Sequence, residues 1–363
     1  MSPEFSLLWL HSNQLMEDKM PVFSLPFSWP VIDPKTVNNT RYAIHKRTGH
    51  YESYFLRANH PDRPLALWIR FTIFSPENKK TAIGEVWAIY FDGETGNHVC
   101  AKTEIPIEDC IFYSNELNIT LGDAKLDENY SKGRAMTGDQ IISWDIRYDS
   151  TEPPLFLLQR TMYDFPFPKA KTLVGKPFAK YSGTITINGI VHKIDQWIGS
   201  QNHNWGVKHS DHYAWGQVAG FDNYPETFFE VVTARLQYGP IWSPFMTIMV
   251  LRHGGKEYRL NSIPQSLRAK GSFGYFEWHF VSETPTEKIE GSITAERDQV
   301  VGLNYYNPPG GVKHCLNTKL GSCEIQLTDF TSSDQTPIIF KTDHRAAFEI
   351  LTTDYNHGIP IRA

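Results

Sequence analysis

The run Asp195–Asp222, DQWIGSQNHNWGVKHSDHYAWGQVAGFD, is the most informative stretch of the chain. It gathers Trp197, Trp205, Trp215, His203, His209 and His212 among glycines and short polar residues. In an extended chain successive side chains point to opposite faces, so Asp195, Trp197, Gln201, His203 and Trp205 share one face. Gly199 is the position where a bulge would break that parity. Tyr213, Trp215 and Gln217 share a face of the next strand.

Outward from this run the same period-two pattern recurs, and helical periodicity is almost absent. Leu65–Phe74 alternates Leu67, Ile69, Phe71 and Ile73 against Trp68, Arg70 and Thr72. Gly84–Asp92 alternates Val86, Ala88 and Tyr90 against Glu85, Trp87, Ile89 and Phe91. Tyr181–Ile187 and Ile190–Trp197 flank Asn188-Gly189, the pair that best tolerates the positive φ angles of a type I′ hairpin turn. Leu155–Gln159 reads as a further strand, and Ala346–Leu351 as a strand or a short helix. Many short antiparallel strands must hide their edges, and closing the sheet does so. The expected fold is all-β, two sequential lipocalin-like antiparallel barrels. A leader or cloning remnant is expected at 1–20 and a first barrel at 21–165. A Pro/Lys-rich loop follows, and then a second barrel at 178–363 carrying WIGSQNHNWG.

Composition narrows the function classes. The chain has 363 residues, 40% hydrophobic and 13% aromatic, enough for large apolar cores. A net charge of −5 lacks the basic footprint of a nucleic-acid binder. No run of about 18 apolar residues spans a bilayer, which leaves room for peripheral membrane contact only. Cys100, Cys110, Cys315 and Cys323 form no CxxC pair and read as reduced thiols of a cytoplasmic protein. No phosphate-binding glycine loop or GxSxG elbow is present. No metal and no cofactor is expected, and oligomeric state is left open.

The motif Trp197-Ile-Gly-Ser-Gln-Asn-His-Asn-Trp205-Gly, with Tyr213-Ala-Trp215 and Phe221-Asp222 after it, resembles the signature of the lipocalin-like AttH and carotenoid 1,2-hydratase superfamily. Arg57–Pro61 followed by Leu67–Phe71 is similar to the opening hairpin of that architecture. Tocopherol cyclases and lipocalin-like Diels–Alderases share it. The resemblance implies two lipocalin-like barrels and a lipophilic small-molecule partner, isoprenoid or polyketide-like, that is hydrated, isomerised or cyclised without a cofactor. The acidic residue usual before the second Trp is replaced here by His203-Asn204, which puts proton donation by an Asp at that spot in doubt.

His203 is accordingly the expected acid/base residue, with Asp195 its partner. Trp197, Gln201, Trp205, Tyr213 and Trp215 are the expected pocket wall. Arg70 and Glu85, on neighbouring strands, are expected to pair inside the first barrel and to meet a ligand's polar end. Glu230 and Glu277 are weaker candidates for an inward carboxyl with a raised pKa. His209, Asp211 and His212 lack metal-ligand spacing, and Lys208-His209-Ser210-Asp211 reads as a solvated turn before a strand that starts at His212. The rival is a non-catalytic lipophile carrier, which requires an almost wholly apolar pocket and His203 bonded to backbone.

Overall fold

The structure, a computed structural model, describes residues 31–43, 49–77 and 81–363. The leader expected at 1–20 lies outside them. The first sheet contains β1 (His50–Asn59), β2 (Leu65–Ser75), β3 (Ile83–Asp92), β4 (Val99–Pro106), β5 (Cys110–Phe112), β6 (Asn118–Leu121), β7 (Ala124–Asp127), β8 (Tyr130–Thr137), β9 (Gln140–Asp149), β10 (Ala170–Ile187) and β11 (Ile190–Gly206). Their order is β4-β3-β2-β1-β11-β10-β9-β8-β7-β6-β5, all antiparallel. Side chains close the curl: the Lys102 N–H donates to Thr137 Oγ1 and the Met136 N–H to Thr103 Oγ1, at 2.8 and 3.0 Å.

The second sheet contains β12 (His212–Ala219), β13 (Phe228–Arg235), β16 (Met246–His253), β17 (Lys256–Leu260), β18 (Lys270–Phe273), β19 (Glu277–Glu283), β20 (Glu287–Thr294), β21 (Val301–Tyr306), β22 (Val312–Asp329) and β23 (Ile338–Thr352). A two-stranded ribbon, β14 (Gln237–Tyr238) and β15 (Ile241–Trp242), stands apart. The one α-helix among the described residues, α1 (Ile263–Arg268), starts at Ser262, whose hydroxyl accepts from the Gln265 N–H. The fold is two lipocalin-like barrels in sequence, as expected.

The long hairpin β10–β11 turns at Asn188 and Gly189, with φ of 48° and 90°. It belongs to the first barrel, because β11 pairs with β1 from Tyr51↔Gly206 to Asn59↔Ile198. The first sheet therefore runs on to Gly206, and the boundary expected at 165–178 falls after it. The Trp197–Gly206 motif is part of the first barrel, not the second. Leu155 makes only an isolated bridge to Val174 where a strand was expected, whereas Ala346–Leu351 is strand, inside β23.

Each interior is packed with side chains, Leu67, Phe71, Trp144 and Trp197 among those in the first barrel, and Phe229, Met249, Trp278 and Phe348 in the second. A third apolar cluster joins the two. Phe55, Trp68, Trp87 and Phe91 from the outward faces of β1–β3 meet Trp215, Leu303 and Tyr305 of the second sheet. Polar groups add register here. Arg57 donates to the carbonyl oxygens of Gln217 and Arg345 at 2.9 and 3.0 Å, and Asn59 to that of Lys319 at 2.7 Å.

Candidate functional site

A cavity of about 200 Å³ lies where the barrels meet. Tyr51, Phe55, Trp68 and Arg70 line it from β1 and β2, and Tyr213, Trp215, Val232 and Ile248 from β12, β13 and β16. Leu157, Met162 and Phe167 come from the segment between β9 and β10, and Ile263 from α1. The first-barrel residues reach it because the odd positions of β1 and the even positions of β2 point away from their own interior.

Arg70, Tyr213 and Trp215 line this cavity; the other expected site residues do not. Gln196 has φ 53°, and the β10–β11 register slips beside it, between Tyr181 and Gly183. Asp195 thereby leaves the face of Trp197. It is exposed and paired with Lys193 at 2.7 Å. Trp197, Gln201, His203 and Trp205 do keep one parity, facing into the first barrel and the segment that covers it. Trp197 is core beside His60, Gln201 accepts from Asn38 Nδ2 at 2.9 Å, and Trp205 packs with Ile32, Phe156, Tyr163 and Leu173. The face of β11 toward the second barrel carries Ser200, Asn202 and Asn204. Asn204 lines the cavity, and Ser200 and Asn202 bind Gln217.

His203 is fully buried and bonded at both ring nitrogens. Nδ1 lies 2.7 Å from the Val37 carbonyl, which can only accept, so this nitrogen carries a proton. Nε2 lies 2.8 Å from Glu52 Oε1, and the ring stacks on Tyr54 at 4.1 Å. Glu52 also accepts from the backbone N–H groups of Arg41 and Tyr42, from His50 and from the Tyr54 hydroxyl. Burial opposes its charge, yet the hydrogen bonds from His203 and His50 prevail and hold the carboxyl down at about 2. This cluster fastens residues 37–42 over the first barrel. The expected acid/base residue thus sits in a structural clasp.

Arg70 and Glu85 do not pair inside the first barrel. Both are on its outward face; Glu85 binds Lys102 at 2.7 Å, and Arg70 stands opposite Trp87 in the β2–β3 register. Glu277 is exposed, whereas Glu230 is buried. Asp211 pairs with Lys208 at 2.7 Å, and His212 packs edge-on against Phe273 at 4.9 Å.

The residue that the sequence reading missed is His209, taken for part of a solvated turn. Its ring lines the cavity and stacks on Tyr51 at 3.8 Å. Burial, then Arg70 and Lys313, push its pKa well below the ordinary 6.5, so the ring is a neutral imidazole. Burial pushes the phenols of Tyr51, Tyr213 and Tyr305 up, so each keeps its proton. Lys171 is drawn down to about 8 by burial, and its ammonium donates to the carbonyls of Met162 and Phe165 at 2.6 and 2.8 Å. It ties the 157–168 segment to the cavity rim. An apolar cavity with a neutral base and hydroxyl donors can polarise a carbonyl and move a proton.

Behind Trp215, Glu230 Oε1 accepts the indole N–H at 2.9 Å. Burial outweighs the hydrogen bonds from Trp215 and Gln217 and raises this carboxyl to about 7. Above the unfolded value of 4.5 the folded state holds a proton that the unfolded chain has released. Stability is therefore expected to fall by about 3 kcal/mol as pH rises from 4.5 to 7, and to stay low above it. Glu230→Gln keeps the acceptor for Trp215 and should flatten that slope, which urea unfolding at pH 5 and pH 8 measures. An unchanged slope would show that Glu230 is not the group responsible.

The two curled antiparallel sheets in sequence give a two-barrel, lipocalin-like fold with a cavity between the barrels. Among solved structures the chain is similar to an AttH-like protein from Nitrosomonas europaea, with TM-score 0.57 and 11% identity over 89% of this chain and 97% of that one. It is similar also to kievitone hydratase from Nectria haematococca, with TM-score 0.57 and 12% identity over 91% and 95%. CghA, crystallised with Sch210972, gives TM-score 0.52 and 11% identity over 84% and 88%. No protein-family model and no curated protein sequence matches the chain. No helix among the described residues is long and apolar enough to cross a membrane.

Proposed function

We propose that this protein is a cofactor-independent enzyme that binds a lipophilic, isoprenoid or polyketide-like substrate between its barrels and hydrates, isomerises or cyclises it. The observation that carries this reading is neutral His209, stacked on Tyr51 in a cavity walled mainly by apolar and aromatic side chains. Trp68, Trp215 and Phe55 would hold the substrate in a reactive fold, since orientation alone can lower a barrier by several kcal/mol. His209 would take or return a proton, and Tyr51 and Tyr213 would donate to a substrate oxygen. The names of two similar structures, a hydratase and a protein bound to a small molecule, are consistent with that chemistry. A carrier fits less well. His203 is bonded to backbone as that rival requires, but Arg70, His209, Tyr51 and Tyr213 place polar groups on a wall that the rival requires to be almost wholly apolar.

Native mass spectrometry of the purified protein, followed by organic extraction, tests the proposal. A bound lipophile recovered as a substrate and product pair is the expected result. A single compound that incubation with the protein leaves unchanged would favour the carrier.

A further inference from the structure

Arg70 is 94% buried, with only 6% of its surface exposed, and it lines the cavity. Among the described residues no hydrogen bond or ion pair reaches it, and its Nε–H is buried without a partner. Its neighbours are ring faces, Tyr305 at 4.3 Å and Trp68 at 6.0 Å from the guanidinium carbon. Ring faces attract the charge but cannot satisfy a planar fork of five N–H donors. The acids nearby are already engaged. Glu85 is bound by Lys102 at 2.7 Å, and Glu349 by Lys319 and Asn317 at 2.8 and 3.1 Å. The other charged groups of the wall are met within the protein, Lys171 by two carbonyls and Glu349 by its lysine. The cavity thus holds a cation whose guanidinium makes no hydrogen bond or ion pair with the described residues. Closing a neutral hydrocarbon over it would strand those donors, and leaving a charged group unsatisfied is costly.

We propose that Arg70 is the anchor of an anion subsite, and that the lipophile taken by this cavity carries a planar two-oxygen monoanion, a carboxylate or its vinylogous equivalent, at the end that meets Arg70. The inference rests on the reading of the cavity as a lipophile site and narrows its substrate class. The guanidinium fork matches two coplanar oxygens in a bidentate way that a lysine does not. The apolar and aromatic lining from Phe55, Trp215, Val232 and Ile248 would take the hydrocarbon part.

The test uses the full chain and two probes, cis-parinaric acid and its methyl ester, titrated at pH 8 with energy transfer from the protein's tryptophans as the signal. The acid should bind at least about tenfold tighter than the ester. Arg70→Met should bring the acid down to the affinity of the ester and leave the ester unchanged, while Arg70→Lys should keep part of the preference. Equal binding of acid and ester to the unaltered protein overturns the anion subsite and leaves the lipophile site standing. Binding of neither probe overturns both. The acid–ester comparison on the unaltered protein stands even where a variant fails to fold.

Discussion

Replacing Glu52 by alanine should destabilise the protein by about 3–5 kcal/mol, because it removes a buried carboxylate and leaves its hydrogen-bond donors without a partner. The loss would strand the imidazole of His203, the hydroxyl of Tyr54 and the N–H groups of Arg41 and Tyr42, all of which point at this carboxylate. The same group sets an acid limit. With its carboxyl held at about 2 against an ordinary 4.5, the folded state gains stability that is fully present above pH 4.5 and drains away as pH falls toward 2. The amount is about 3 kcal/mol. Urea unfolding at pH 7 and pH 3 should show about 2 kcal/mol of this loss in the parent and not in Glu52→Ala. His203→Ala should share the phenotype, and a double-mutant cycle should give strong coupling between the two. Loss of turnover in a stably folded His203→Ala would instead return that histidine to the chemistry.

His209→Gln is the second large effect, and it lies on function. Turnover of the compound recovered from the protein should fall about 10²–10⁴-fold, the usual contribution of a positioned acid or base. Binding of that compound should change far less, because the aromatic wall is untouched. A variant that binds and turns over normally would remove His209 from the mechanism.

The contrast between the two histidines shows what the sequence carried. Alternation of large apolar residues identified β2 and β3 and even their two faces, and Asn188-Gly189 located a hairpin, because both signals are local. The role of each face was not local. Trp68 and Arg70 lie on the outward face of their own barrel and are packed against residues of the second. Along β11 the run Gln201-Asn202-His203-Asn204 is polar on both faces, so periodicity could not say which side met a cavity. The slip at Gln196 detached Asp195 from the assumed face, and nothing in the residue types marks it. The barrel boundary was misplaced for a related reason. β11 returns to pair with β1 across about 150 residues of sequence, a long-range contact that composition does not announce. His209 looked like part of a solvated turn because its neighbours Lys208, Ser210 and Asp211 are polar, while its burial comes from Tyr51 and Tyr305.

A lipophile is expected to sit between the barrels and not within either one. Native mass spectrometry on the parent and on Ala234→Trp, which puts an indole at a position of β13 that lines the cavity, distinguishes the two places. The parent should carry a lipophilic adduct that the folded variant has lost. An adduct retained at full occupancy by the blocked variant would place the ligand elsewhere and rule out the inter-barrel site.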